Sequence, residues 1–328
     1  MNYAVAEGDR WWLGKRVLVT GGSGFIGSHL IERLLAMGAV VGGVSRTYGN
    51  LANVAGATNF TFFACDLTDA ERTHVAIGGF RPEVMIHLAA HPDGQEDLKQ
   101  AHLTIRNNIL GTVNALDAFR HGGGRLVVYG DSIKGYGNAE VPYREATRLN
   151  PGSSYGISKA AGWGYCQLYQ TLYGLTSVAV RPTLIYGPRQ TYNLFTFLVD
   201  AVLERREEIP LDGGSQTRDP LYIYDAIDAY LAVLRHGGDL AGRVINIGGG
   251  CERSVEDIAR LVVQVMRGNQ RVVPVAKKTR STEIRRSYCD NAEAQTIIGW
   301  SPKTEFQQGL RETVDYLVGE RRRVAAST

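Results

Sequence analysis

The sequence of 328 residues has few cysteines, no long apolar run and almost no excess charge. Its four cysteines are far apart and form no Cys-x-x-Cys pair, which argues against zinc and against a disulfide framework and fits a reducing compartment. No stretch approaches the about 20 apolar residues that span a bilayer. The first residues carry Glu7 and Asp9 and lack the apolar core of a signal peptide. A net charge of +3 does not indicate nucleic acid or an anionic membrane as a partner. We therefore expect a cytoplasmic protein without a metal site.

From residue 15 onward, short apolar segments alternate with amphipathic ones. The apolar segments predict buried strands at 16–20, 40–44, 60–64, 84–89, 125–129 and 177–181, and the amphipathic segments predict helices at 26–37, 106–119 and 155–173. This alternation predicts an α/β fold with a Rossmann-type, doubly wound parallel sheet. It breaks near residue 188, although 244–247 has the pattern of another sheet strand. We expect an extension at 1–14, a first domain at 15–187, and a smaller lobe at 188–328 of which 218–249 partly returns to the first domain.

A glycine-rich segment lies between the first predicted strand and the first predicted helix. It reads Gly21-Gly22-Ser23-Gly24-Phe25-Ile26-Gly27. Gly21 permits a tight turn, Gly24 lets the backbone approach a pyrophosphate, and Gly27 lets the helix pack on the strand. A dinucleotide diphosphate would lie at the helix N-terminus, where unpaired N–H groups and the helix dipole favour negative charge. The alternative is a loop that only turns the chain.

Tyr155 and Lys159 form a Tyr-x-x-x-Lys pattern within a predicted helix. Residues four apart lie on one face of a helix, about 6 Å from each other. A lysine ammonium at that place can lower the pKa of the phenol, so that Tyr155 acts as a general base or acid. The spacing occurs by chance in many helices, and its position after a nucleotide-binding loop favours the functional interpretation.

These segments, TGGSGFIGSHL and Tyr155-x-x-x-Lys159, resemble the extended short-chain dehydrogenase/reductase family, which contains nucleotide-sugar epimerases, dehydratases and reductases. Further motifs extend the resemblance along nearly the whole chain. It implies that 15–187 binds NAD(P) and that 188–328 mainly binds a nucleoside diphosphate sugar. It also implies a homodimer formed by the helices around Asn108 and Tyr155. The residues Ala160, Ala161, Gly162, Trp163 and Tyr165 suit such a face, and they suit a core equally.

The resemblance assigns further contacts with the cofactor. It implies that Asp66, in the pair Asp66-Leu67, receives the adenine amino group and that Lys159 holds the nicotinamide ribose. The loop that packs along the cofactor would contain Leu88, Ala89 and Ala90.

The residues after the second predicted strand bear on the choice of cofactor. They are Ser45 and Arg46, whereas relatives that retain NAD usually have Asp at the first position. An acid there binds the ribose hydroxyls of NAD, and a nearby Arg accommodates the 2′-phosphate of NADP. Ser45-Arg46 therefore favours NADP over NAD, with a solvated Arg46 beside NAD as the alternative.

Two more residues match the catalytic machinery of the family. Ser132 has the place of a Ser/Thr whose hydroxyl binds the reacting oxygen, and Asn108 that of a helix Asn that orders the lysine end of the relay. Family dehydratases carry a Glu after the Ser/Thr, where this sequence has Ile133 and Lys134, so a dehydratase is disfavoured. Lys134 either contacts an anionic part of the substrate or is solvated. His91, just beyond Ala90, either faces the sugar or lies in a surface loop.

Three arginines match substrate-binding positions of the family. Arg189 follows Tyr186-Gly187-Pro188, Arg218 precedes Asp219, and Arg280 begins the segment RSTEI. The guanidinium groups of Arg218 and Arg280 suit a diphosphate. Leu184 replaces an Asn with which many relatives contact their substrate.

Four functions remain open at this point. The first is an NAD(P)-dependent epimerase that removes and returns a hydride at a sugar carbon, C4 by expectation, through a keto intermediate with Tyr155 as acid and base. The second is an NADPH-dependent reductase of a 4-keto sugar, which Ser45-Arg46 favours. A 4,6-dehydratase ranks behind because Ile133 and Lys134 stand where such enzymes carry a carboxylate. A non-catalytic NAD(P)-binding relative ranks behind because the relay residues Tyr155 and Lys159 are both present.

Overall fold

A computed structural model of the chain describes residues 11–92, 98–190, 193–275 and 283–327. The strands are β1 (Arg16–Thr20), β2 (Val40–Ser45), β3 (Phe60–Ala64), β4 (Val84–His87), β5 (Leu126–Gly130), β6 (Thr176–Pro182), β7 (Leu184–Tyr186), β8 (Glu208–Asp212), β9 (Thr217–Arg218), β10 (Pro220–Tyr222), β11 (Val244–Ile247), β12 (Arg253–Ser254) and β13 (Arg271–Val275). The helices are α1 (Phe25–Ala36), α2 (Ala70–Phe80), α3 (Leu98–Thr104), α4 (Gly111–His121), α5 (Ser154–Tyr173), α6 (Leu194–Leu203), α7 (Ile223–Arg235), α8 (Val255–Val265), α9 (Ala292–Ile298) and α10 (Phe306–Ser327).

Seven strands form the main sheet in the order β11-β6-β5-β4-β1-β2-β3. The pairings that join β3 through β6 are all parallel, which confirms the predicted Rossmann-type α/β fold. The chain moves outward from β1 to β2 and β3 and then returns to the other side of β1 with β4. Ligands of such sheets bind outside the carboxyl ends of the strands, at the point where the order reverses. The glycine-rich segment begins at that end of β1.

The inner strands of the main sheet are buried on both faces. Val17, Leu18 and Val19 of β1 and Val127 and Val128 of β5 are all 0 % exposed. Strands buried on both sides carry continuous apolar runs because neither face meets water. This is why the apolar segments predicted these strands to within one or two residues.

The predicted helix at 106–119 covers two elements in the structure. α3 is followed by a π-helical turn at Ile105–Leu110 and then by α4. A π turn contains one extra residue and often lies at a functional site. It contains Asn108, which is only 1 % exposed. Apolar periodicity does not show such an insertion.

The chain divides into two compact units. The first comprises Met1–Gly135, Ser153–Arg181 and Tyr230–Ile245, and the second comprises Tyr136–Gly152, Pro182–Ala229 and Asn246–Thr328. The first unit holds the glycine-rich segment together with Ser132, Tyr155 and Lys159. The second holds three two-stranded ladders, β7–β10, β8–β13 and β9–β12.

Candidate active site

The glycine-rich segment has the geometry of a phosphate cradle. Gly21 has a φ of +67°, and a Cβ there would lie 2.9 Å from the backbone nitrogen of Ala89. A Cβ on Gly27 would collide with the carbonyl oxygen of Gly21. Gly24 is the N-cap of α1 and supplies no side chain, so the amides of Phe25 and Ile26 in the first turn have no side-chain cap. An anion is the natural partner of such a helix N-terminus.

The hydroxyl of Ser45 is engaged with the chain around it. It accepts a hydrogen bond from the backbone N–H of Ser23 (3.0 Å) and donates to the carbonyl of Val44 (2.7 Å). The next residue, Arg46, is exposed. Ser45 thus ties the end of β2 to the glycine-rich segment, and Arg46 is the group that extends into solvent.

Asp66 lies at the end of β3 with its carboxylate held in place. Its Oδ1 accepts from the backbone N–H of Thr68 (2.9 Å). That bond, assisted by the charges of Arg46 and Arg106, lowers the pKa of Asp66 and outweighs the effect of its burial. Asp66 is therefore an ionised acceptor at neutral pH. Leu67 beside it is buried.

A continuous chain of hydrogen bonds runs beneath the loop Leu88-Ala89-Ala90. The backbone N–H of Ala89 donates to Oγ1 of Thr20 (3.3 Å), which lies 2.7 Å from Nδ1 of His87. Nε2 of His87 lies 2.9 Å from Oγ1 of Thr112, and that hydroxyl donates to the carbonyl of Asn108 (2.5 Å). One assignment satisfies every partner: Thr20 donates to Nδ1, and Nε2 carries the proton. Burial lowers the pKa of His87 to about 3, assisted by the charge of Lys159, so the imidazole is neutral.

Asn108 extends this series of hydrogen bonds to α5. Its Oδ1 accepts from the backbone N–H of His91 (2.5 Å), and its Nδ2 donates to the carbonyl of His91 (3.2 Å) and to Oγ of Ser158 (2.8 Å). Ser158 in turn donates to the carbonyl of Tyr155 (2.8 Å). In this structure Asn108 therefore contacts the turn between Tyr155 and Lys159. Nε2 of His91 lies 3.2 Å from Oε1 of Gln100.

Tyr155 and Lys159 lie on α5, whose first turn is capped by Ser153. Lys159 is 2 % exposed, and its ammonium lies 4.5 Å from the centroid of the Tyr129 ring. Burial lowers the pKa of Lys159 to about 8, opposed by the negative charge of Asp131. The expectation that Lys159 lowers the pKa of Tyr155 is not met in this structure. Burial, reinforced by Asp131, raises the pKa of Tyr155 to about 12.

Ser132 directly follows β5 and its extension Asp131. Its Oγ accepts from the backbone N–H of Lys134 (3.2 Å), which leaves the hydroxyl proton for another acceptor. Lys134 itself is half-buried. Ile133 is 5 % exposed, so it adds an apolar wall where a dehydratase would carry a carboxylate.

Tyr129, Asp131 and Arg181 were not among the site residues predicted from the sequence. Tyr129 stacks between His87 and Trp163, with ring centroids 5.9 Å and 6.5 Å apart. Asp131 and Arg181 form a buried ion pair of 2.7 Å. The signal for Asp131 was present, since a carboxylate at the end of an apolar strand is unusual.

Of the predicted substrate-binding arginines, Arg189 and Arg218 belong to the second unit. Arg218 donates through Nη1 to the carbonyls of Thr217 (2.7 Å) and Ile284 (2.9 Å), and its Nη2 lies 2.5 Å from Oε1 of Glu283. Arg189 is half-buried and has a φ of +67°. Arg280 lies outside the described residues.

One group of possible metal ligands occurs in the part of the chain that the structure describes. His74, Asp117 and His121 place one ligand atom each within 4.8 Å of one another. The guanidinium of Arg120 lies 3.4 Å from the Asp117 carboxylate and 2.6 Å from Nε2 of His121. A fixed cation in contact with two of the three ligands disfavours a second cation.

Three comparisons with known proteins agree with this geometry. The model of the "NAD dependent epimerase/dehydratase family" matches residues 17–248. A UDP-glucose 4-epimerase of Mycolicibacterium smegmatis is 34% identical over 313 residues, which are 92% of this chain and 98% of the relative. A dTDP-glucose 4,6-dehydratase of Streptomyces griseus is 32% identical over 311 residues, 91% of this chain and 92% of the relative. The crystal structure of the Thermus thermophilus UDP-glucose 4-epimerase in complex with NAD has a TM-score of 0.82 and 31% identity, covering 93% of this chain and 99% of that one.

Proposed function

The chain belongs to the NAD dependent epimerase/dehydratase family, and from this membership we propose that it is a nucleotide-sugar epimerase acting at C4 of the sugar. The observation that carries the proposal is the arrangement in the first unit. Tyr155 and Lys159 lie on one face of α5, and Ser132 stands at the end of β5, at the same edge of the sheet as the glycine-rich segment. The similarity to the mycobacterial epimerase, at 34% identity, supports the same activity.

The residues present fit a nicotinamide dinucleotide. The cradle at Gly21, Gly24 and Gly27 admits no Cβ without a close approach to the backbone. We assign the diphosphate to the amides of Phe25 and Ile26, the adenine to Asp66 and Leu67, and the nicotinamide side to Leu88, Ala89, Ala90 and Lys159. When bound, the nicotinamide supplies the acceptor and donor of a hydride.

The residues of the chain move the proton that accompanies the hydride. Tyr155 takes the proton of the sugar hydroxyl at its phenol oxygen and returns it to the keto oxygen when the hydride comes back. Lys159, charged below about pH 8, lies on the same face and stabilises the phenolate. The hydroxyl of Ser132 donates to the reacting oxygen. Tyr155 therefore serves as the base when the hydride leaves the sugar carbon and as the acid when the hydride returns.

A reductase of 4-keto sugars is the second candidate, because Ser45 and Arg46 favour NADP. The Ser45 hydroxyl is occupied by Ser23 and Val44, and no carboxylate follows Val44 to repel a 2′-phosphate. The charge of Arg46 reaches Asp66 and is therefore near the adenosine end. Titration with NADH and with NADPH, followed by fluorescence, tests this preference. We expect tighter binding of NADPH, and tighter binding of NADH would contradict it.

A dehydratase stays the weaker candidate despite the similarity to the Streptomyces griseus protein. Elimination needs an acid and a base at neighbouring carbons, and the two positions after Ser132 hold Ile133 and Lys134. We propose that Arg218 and Arg280 bind the diphosphate of the nucleotide sugar and that Arg189 is a further substrate-binding residue. Both Tyr155 and Lys159 are present, which argues against a non-catalytic relative.

We also propose a homodimer. On α5, the side chains of Ile157, Leu168 and Leu172 are 54%, 44% and 59% exposed, and they form one apolar stripe. Tyr165 lies on the same stripe, whereas Gly162 and Trp163 are buried on the side of the sheet. Ile105 and Leu110, near Asn108, are exposed as well. Exposed apolar residues gathered on neighbouring helices are typical of an interface.

The location of the protein in the cell remains a prediction. Among the described residues, no helix combines the length and the apolar character needed to cross a membrane.

The experiment that tests the proposed activity is incubation of the purified protein with UDP-hexoses and related nucleotide sugars without added cofactor. Product analysis by NMR is expected to show interconversion of C4 epimers. A strict requirement for added NADPH would favour the reductase, and a 4-keto-6-deoxy product would favour the dehydratase.

A further inference from the structure

Asp131 and Arg181 form an ion pair in the interior of the first unit. Nε and Nη2 of Arg181 lie 2.8 Å and 2.7 Å from the same carboxylate oxygen, Oδ2. The two side chains are 1% and 3% exposed. Burying two charges costs several kcal/mol per ion before their attraction offsets it. If the pair only filled space in the interior, apolar residues of similar size could replace it without loss of stability. The pair stands beside Ser132, which points to a role other than packing.

The second oxygen of this carboxylate is available. Oδ1 of Asp131 is buried and has no hydrogen-bond partner among the described residues. Arg181 thus neutralises only one side of the carboxylate. The field of the other side extends into the surroundings, where low polarity makes it effective.

The position of Asp131 on the strand directs it toward α5. Asp131 follows β5, and its N–H donates to the carbonyl of Val180 (2.8 Å), so the extended backbone continues through it. Residues two apart on a strand face the same side. Asp131 therefore shares a face with Tyr129, whose ring lies under the ammonium of Lys159 at 4.5 Å. The hydroxyl of Tyr129 also donates to the carbonyl of Lys159 (3.1 Å), which fixes α5 against this face.

We propose that Asp131 is a positioning residue that keeps the ammonium of Lys159 charged while it holds the cofactor. This inference rests on the proposed function, because it assumes that Lys159 binds the nicotinamide ribose. It adds a group that the Tyr-x-x-x-Lys pattern does not contain.

The other groups near Lys159 are neutral in the relevant pH range. Burial raises the pKa of Tyr129 and Tyr155 and of the thiol of Cys166, and it raises the pKa of Tyr230 on α7. Burial lowers the pKa of His87 on β4 to about 3. The remaining members of this cluster are Lys159 and the ion pair of Asp131 with Arg181. Of these, Asp131 is the one that favours the ammonium, and it opposes the desolvation that lowers the pKa of Lys159 to about 8.

Cofactor affinity as a function of pH tests this role without using turnover. The protein, freed of co-purified nucleotide, is titrated with NADH, or with NADPH if that binds tighter, from pH 6.5 to 9.5 at constant ionic strength. For the unaltered protein we expect affinity to fall above about pH 8 as Lys159 loses its proton. In Asp131→Asn the midpoint of this fall moves down by about 1 pH unit or more.

Three further variants complete the experiment. Lys159→Met is expected to bind the cofactor weakly and to show no fall of affinity with pH. Asp131→Glu is expected to have a midpoint near the original. Asp117→Asn, which removes a partly exposed carboxylate of α4, is expected to leave the midpoint unchanged. An Asp131→Asn protein that folds and keeps the original midpoint, while Lys159→Met lacks it, overturns the role of Asp131 and leaves the proposed function standing. A Lys159→Met protein with the original midpoint overturns both the role of Asp131 and the proposed role of Lys159 in binding the cofactor.

Asp131→Asn leaves Arg181 buried without its partner and can therefore fail to fold. A double variant tests the proposal in that case. The double variant Asp131→Asn, Arg181→Met removes the pair as a whole. We expect a downward displacement of the midpoint that is smaller than in Asp131→Asn, because the positive charge of Arg181, which disfavours the ammonium of Lys159, is removed as well. An unchanged midpoint in this protein overturns the proposal.

Discussion

The ammonium of Lys159 lies 4.5 Å from the centroid of the Tyr129 ring, and the Tyr129 hydroxyl donates to the main-chain carbonyl of Lys159 at 3.1 Å. One side chain therefore holds both the charged end and the backbone of the lysine. The contact requires α5 to approach β5 closely, and Gly162 permits this approach. A Cβ on Gly162 would collide with the Tyr129 hydroxyl.

Gly162→Ala is expected to destabilise the protein by about 1 to 3 kcal/mol, because overpacking shifts either α5 or Tyr129. It should also weaken cofactor binding, since Lys159 loses its support. Gly164→Ala is the matched control on the same helix, because its Cβ would meet no atom within 4 Å. For Gly164→Ala we expect no loss of stability and a gain of up to about 1 kcal/mol from helix propensity. Chemical denaturation of both variants measures the difference, and equal stabilities would contradict the packing argument.

Tyr155→Phe is expected to abolish turnover while leaving cofactor affinity within about twofold of the original, because the variant removes one hydroxyl and keeps the ring. Steady-state kinetics and nucleotide titration measure the two effects separately. Tyr165→Phe, on the exposed face of the same helix, serves as the control and should retain full activity. Unchanged turnover in Tyr155→Phe would refute the assignment of the acid and base.

His87 should make the protein sensitive to acid. Its pKa is about 3 in the folded chain against 6.5 for the free group, so below pH 6.5 the unfolded chain takes up a proton that the folded chain refuses. The free energy of unfolding therefore falls by about 1.4 kcal/mol per pH unit from this group as the pH drops from 6.5 toward 3. In His87→Gln this part of the slope disappears, whereas His102→Gln, at an exposed position, keeps it. Denaturation curves of the unaltered chain and of both variants, measured at several pH values, test this prediction. The same dependence of the unfolding free energy on pH in all three proteins would contradict it.

Leu168→Glu is expected to produce a monomer, because a charge in the centre of the α5 stripe opposes its burial in an interface. Sedimentation equilibrium of the variant and of the unaltered chain measures the mass. Val75→Glu, at an apolar position on α2 that is 73% exposed, is the control and should leave the mass unchanged. A monomeric unaltered chain would contradict the proposed dimer.

Much of the fold could be predicted because the inner strands of the main sheet are buried on both faces. The continuous apolar run at 16–20 therefore marked a strand that the structure has with the same bounds. The π turn around Asn108 could not be predicted, since its extra residue depends on tertiary contacts with His91 and Ser158.

The candidate site was predictable where local spacing determines it. The glycine-rich segment and the pair Tyr155–Lys159 depend on one turn and one helix, and the structure places them as the spacing predicted. The pKa of Tyr155 depends on burial and on Asp131, which come from other parts of the chain. Sequence spacing does not contain that information, so it could not show that burial shifts the pKa of Tyr155 upward.

The central claim is that a hydride leaves and returns to the same sugar carbon while Tyr155 carries the proton. A UDP-hexose with deuterium at C4, incubated with the purified protein in ordinary water, tests it most directly. The account predicts that both C4 epimers accumulate and that each retains the deuterium at C4. Loss of the deuterium to solvent, or recovery of the substrate without inversion, would contradict it.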